Sequence, residues 1–119
     1  MNTVRPTVHL HRHPYDAWRW AEDQFARRDY LGASRTLEAL LQDPDAHEDY
    51  LAQVRELLAR AYYHSARLQL AAETARSALA LEPTNGYLAL LLSRTLERSN
   101  DPEGADRYRR RAAALGEEL

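Results

Sequence analysis

Apolar residues recur along this chain at helical spacing. In "DYLAQVRELLARAYYHS", Leu51, Val54, Leu58, Ala61, Tyr62 and Ser65 fall on one face of a 3.6-residue period. "LQLAAETARSALALEP" repeats the pattern with Leu68, Ala71, Ala72, Ala75, Ala78, Leu79 and Leu81. No stretch between them alternates with the period of two that a half-buried strand requires. Pro14, Pro44, Pro83 and Pro102 sit where helices are expected to start, because a first-turn proline lacks only an N–H that has no helical partner. Asp43 and Asp101 are the expected N-caps beside two of them. The pattern predicts an all-α chain with short connections.

The helical pattern itself repeats. When "LARAYYHSARLQLAAETARSALALEPTN" is set on "LSRTLERSNDPEGADRYRRRAAALG", Leu58 meets Leu92, Ala59 meets Ser93, Tyr62 meets Leu96, Ala71 meets Ala105 and Ala78 meets Ala112, each 34 residues on. "WAEDQFARRDYLGASRTLEALLQDP" fits the same frame through Trp20, Ala21, Tyr30 and Ala33, at an offset of 38. The surplus of one turn is expected in "DAHEDYLAQ", lengthening the third helix at its start. Large and small residues in the first helix of each unit, alanines in the second and the 34-residue period resemble the tetratricopeptide repeat (TPR) family. Leu58-Ala59, Tyr62, Ala71, Ala78 and Pro83 carry the resemblance best. Ala75 and Gln24 stand where larger apolar residues are usual, and the last unit lacks the closing proline. The resemblance implies an α-solenoid of three antiparallel helix pairs, with repeats at about 14–44, 45–83 and 84–116, an extended arm over 1–13 and a tail after 116. Ala21, Ala59, Ser93, Ala33, Ala71 and Ala105 are the positions of close helix approach, Trp20 is expected in the core, and Gly32 and Gly104 mark crowded helix starts. The polar last helix, with Asp106, Arg107, Arg109, Arg110 and Arg111, is expected to serve as the cap.

Composition narrows the function more than the fold. The chain has 119 residues, 45% hydrophobic and 29% charged, with a net charge of −2 and no cysteine. That excludes thiolate chemistry and disulfides and gives no global pull toward nucleic acid. The basic run "RYRRR" is ringed by Asp101, Glu103, Asp106, Glu117 and Glu118, as a solvated cap would be. No apolar run has the length of a membrane span or a signal peptide, so a cytoplasmic location is expected. There is no nucleophile elbow, phosphate loop or His-Glu-x-x-His motif. Glu22-Asp23 and Glu48-Asp49 read as solvated helix faces. The expectation is a non-enzymatic protein without a cofactor.

The resemblance also implies a site. In TPR proteins the first helices of successive units line a concave groove that holds an extended peptide or partner helix. The matching positions are Trp18, Glu22 and Phe25, then Gln53, Glu56, Arg60, Tyr63 and His64, then Tyr87, Leu90, Arg94, Glu97 and Arg98. Aromatic and arginine side chains together suit protein recognition, and Arg60 with Arg94 would offer two guanidinium groups to an acidic partner. Tyr62 and Tyr63 cannot both face that groove. The lysines and asparagines of carboxylate-clamping TPR domains are replaced by Trp18, Glu22, Leu57, Tyr87 and Leu91, which argues against that subclass. Two other readings concern the arm. "VRPTVHL" could dock on a second copy and make the protein a self-assembling unit or homo-oligomer. "HLHRH" would place His9, His11 and His13 about 6.6–6.8 Å apart on one face of an extended segment, a candidate zinc or copper site weakened by the lack of cysteine or a nearby carboxylate.

Overall fold

The computed structural model describes residues 13–118. Among these it forms six helices and no strand: α1 (Pro14–Ala26), α2 (Tyr30–Leu41), α3 (Glu48–His64), α4 (Leu68–Leu81), α5 (Gly86–Arg98) and α6 (Pro102–Ala114). Each helix packs on its neighbour in the chain and α3 also reaches α5. The helices therefore stack as three hairpins along a body of 55 × 26 × 20 Å. α3 has 17 residues where α1 and α5 have 13, and the additional turn lies at its start.

The first helix of every hairpin ends in the same way. Arg28, Ala66 and Asn100 take φ of 66°, 63° and 64°. The amide after each of them donates to the carbonyl five residues back: Asp29 N to Gln24, Arg67 N to Tyr62 and Asp101 N to Leu96, at 2.8, 2.9 and 2.9 Å. This is a Schellman turn used three times, and each time it reverses the chain in three residues. The second helices of the outer hairpins then begin on an aspartate cap. Asp29 accepts from Gly32 N at 2.9 Å and Asp101 accepts from Gly104 N at 3.0 Å. A Cβ at Gly32 would lie 2.3 Å from the Asp29 carboxylate and 2.7 Å from Gln24, and one at Gly104 2.5 Å from the Asp101 carboxylate. The crowding expected at these glycines thus comes largely from the cap itself. In the middle hairpin Arg67 makes no side-chain cap, and the equivalent position is Leu70.

Two of the four prolines start helices. Pro14 and Pro102 do so, but α3 begins at Glu48 and α5 at Gly86, four and three residues beyond Pro44 and Pro83. Asp43 is not a cap. Its carboxylate accepts from Asp45 N at 2.8 Å and shapes a turn before α3. The cap of α5 is Asn85, which accepts from Leu88 N at 3.1 Å.

The small positions shared by the repeats are all buried: Ala21, Ala33, Ala59 and Ala71 at 0%, Ala105 at 2% and Ser93 at 4% exposure. Ser93 satisfies its hydroxyl on the Ala105 carbonyl at 2.9 Å, across α5 and α6. Around them lie two apolar clusters. Leu37, Leu40, Val54, Leu58 and Tyr62 anchor the first, and Leu79, Leu88, Leu91, Leu92 and Leu96 the second. Buried Gln24 occupies an otherwise apolar position because its Oε1 accepts from Thr36 Oγ1 at 2.7 Å. Two expected core residues are outside. Trp20 is 36% exposed beneath the Arg27 guanidinium, since Ala17, Ala21 and Gln24 form the buried face of α1. Leu81, at the last turn of α4, is 60% exposed. In α6 Arg109 and Arg110 both pair with Asp106, at 2.7 and 2.6 Å, and Arg111 donates to the Pro83 carbonyl.

Candidate functional site

A cleft of about 420 Å³ opens on the concave side between α1, α3 and the turn before α5. Trp18, Glu22 and Phe25 form one wall, and Gln53, Glu56 and Arg60 the other. Helical spacing explains the set: residues three or four apart on α1 and α3 share the face turned away from the second helices. Ala26, Ala52 and Leu57 complete the lining from these helices, with Glu82 and Asn85 from the turn.

The walls are held from behind. Tyr50 Oη donates to the Pro14 carbonyl at 2.6 Å, tying the added turn of α3 to the start of α1. The Tyr50 ring meets Trp18 edge-on at 5.9 Å and so sets its position. Burial, with the Glu22 charge second, pushes the Tyr50 phenol up to about 12. At the other end Phe25 packs edge-on against Tyr30 and His64, at 5.1 and 5.6 Å, while His64 stacks on Tyr30 at 4.9 Å. Burial, then the Arg60 and Arg98 charges, lowers the His64 pKa from its ordinary value.

Arg60 joins three hairpins. Its guanidinium lies 4.7 Å from the Phe25 ring of the first and 5.9 Å from the Tyr87 ring of the third. Its charge thus lies within cation–π range of two rings. Burial raises the Tyr87 phenol, while the Arg60 charge and, more weakly, that of Arg94 oppose the shift. Asn85 organises the acidic side. Its Oδ1 caps α5, so its amide nitrogen is the group left to donate to Glu56 at 3.1 Å and Glu82 at 3.2 Å. Two carboxylates are thus drawn to one side of the cleft, and neither makes an ion pair among the described residues.

The remaining residues read from the repeat frame lie beyond this cleft. Tyr63 is half-buried under Arg98, whose guanidinium sits 4.7 Å from the ring and donates to the Tyr63 carbonyl at 3.2 Å. Tyr87 and Leu90 are half-buried against the second apolar cluster. Arg94, Glu97 and Arg98 are exposed on α5. Tyr62 turns away into the first cluster, where its hydroxyl bonds to Glu38 and Arg67 covers its ring. Asn85 and Glu82 were absent from the sequence reading of the site. An Asn immediately before an apolar helical run was the available signal for Asn85; Glu82 had none. His9 and His11 lie outside the described residues, and exposed His13 precedes α1 without a side-chain cap. Among the described residues no three His, Asp or Glu side chains gather as a metal site would require, and no helix is long and apolar enough to cross a membrane.

Stacked antiparallel hairpins with a concave cleft define a TPR-like helical repeat. Its fold is similar to that of PcrH, solved in complex with the chaperone-binding region of PopB: the TM-score is 0.77 over 97% of this chain and 86% of that one, at 13% sequence identity. No protein-family model matches the chain, and no curated protein matches it in sequence.

Proposed function

We propose that this protein is a non-enzymatic binding module that holds an extended peptide or a helix of a partner protein in the cleft between α1 and α3. The cleft carries the proposal. Six side chains from two successive repeats, two of them aromatic, converge on a space of about 420 Å³ whose walls are fixed by Tyr50, Tyr30 and His64. That volume suits a few side chains of a peptide rather than a whole domain face. The solenoid, with repeats at about 14–44, 45–83 and 84–116, acts as the support; the arm expected over 1–13 lies, up to residue 12, outside the described residues. A similar fold in PcrH binds a region of another protein, PopB, which favours a polypeptide ligand here.

The test is selection of random twelve-residue peptides on the whole protein, followed by binding to Gln53→Arg. Gln53 is exposed, so the substitution blocks the cleft without disturbing the core. Enriched peptides are expected to bind the wild type and lose at least tenfold on Gln53→Arg. Failure to enrich any peptide, or equal binding to both proteins, contradicts the proposal.

A further inference from the structure

The charge on the cleft walls does not match the acidic ligand that the arginine pattern of the sequence suggests. Three carboxylates line the space, Glu22, Glu56 and Glu82, against one guanidinium. That guanidinium, Arg60, is already placed between the Phe25 and Tyr87 rings. Asn85 draws Glu56 and Glu82 together, within reach of one amide nitrogen, and neither makes an ion pair among the described residues. Like charges this close raise the local potential, and a cleft with low-dielectric walls concentrates it. The opposite wall is aromatic: Trp18 and Phe25 present ring surface that suits the stem of a long basic side chain or a neighbouring apolar one.

Resting on the peptide-binding reading above, we infer that the cleft selects a partner segment carrying an arginine or lysine flanked by apolar residues. The cationic head would meet Glu56 and Glu82, and the apolar neighbours would lie on Trp18 and Phe25. Arg94 and Arg98, on the far half of the concave face, do not line this cleft.

Two acetylated pentapeptide amides, Ala-Leu-Arg-Leu-Ala and Ala-Leu-Glu-Leu-Ala, test this by amide and indole NMR titration of the full chain. The arginine peptide is expected to shift the Trp18 indole and the Gln53 and Glu56 amides. Its half-saturating concentration should be about fivefold lower than that of the glutamate peptide, as roughly 1 kcal/mol of exposed charge interaction gives. In Glu56→Gln/Glu82→Gln, with spectral dispersion unchanged, the difference should shrink toward none. If the glutamate peptide binds the cleft equally or better, or if neutralisation leaves the preference intact, the charge assignment is wrong while cleft binding stands. If neither peptide moves those signals, both readings fail. If Arg5→Glu/Arg12→Glu alone shifts them without peptide, the chain's own first residues are the occupant and the inference is overturned.

Discussion

Equivalent positions build both halves of the concave face, yet among the described residues the cleft lies at the first half. Facing α1, the helix α3 presents Gln53, Glu56 and Arg60; facing α3, one repeat later, α5 presents Tyr87, Leu90 and Arg94. The polar pair leaves room between the helices, and the aromatic-aliphatic pair fills it by packing on the second apolar cluster. Arg98 then lies across the Tyr63 ring and donates to its carbonyl. A repeat frame therefore sets where side chains point, while the residues chosen at two positions decide whether a junction is a site or a seal.

The contrast is broken most forcefully at its floor. Leu57 and Leu91 occupy the same repeat position and are both nearly buried, at 7% and 5% exposure, but only Leu57 borders the cleft. Leu91→Ala should leave a sealed cavity and destabilise by about 3–4 kcal/mol, whereas Leu57→Ala enlarges a space water already reaches and should cost about 2 kcal/mol. Urea denaturation followed by circular dichroism measures both, and equal losses would remove the distinction between the junctions. The two stacked arginines give a smaller difference. Half-buried Arg60 contacts two rings and exposed Arg98 one, so Arg60→Ala should cost about 1–2 kcal/mol and Arg98→Ala about 0.5 kcal/mol. Next comes a change that should touch neither half: Ala66→Gly relieves a left-handed backbone and should stabilise by about 1 kcal/mol, leaving peptide binding unaltered. Smallest is the effect of pH. The folded-state pKa of His64 lies below its unfolded value, so the unfolded chain binds its proton first as the pH falls below the ordinary histidine range. The contribution of His64 is thus full above that range and is lost as pH drops toward the lowered pKa. His64→Gln should flatten the acid side of a plot of melting temperature against pH.

Much of the architecture was legible before the structure. Helical period, the 34-residue frame and the small residues at Ala21, Ala59 and Ser93 all report a local spacing that packing must satisfy, and α3 is longer by the turn the offset of 38 required. Helix starts were less legible at Pro44 and Pro83, because a proline in a turn and a proline at a first helical position share the same backbone angle. Trp20 misled because hydrophobicity alone does not say which side of α1 is buried. Within the cleft, the α1 and α3 residues follow from the frame, but Glu82 and Asn85 come from a turn outside it. The placement of Arg60 between rings of two other repeats depends on stacking geometry, which no local pattern encodes. The acidic balance of the cleft was hidden for the same reason.

The central claim is that ligand is seated at the first junction and not the second. Mapping a selected peptide by amide NMR on the full chain addresses it directly. The shifts are expected to centre on Trp18, Glu22, Gln53 and Glu56 and to fade toward Leu90 and Arg94. A footprint centred on α5, or on the second helices α2 and α4, would contradict it.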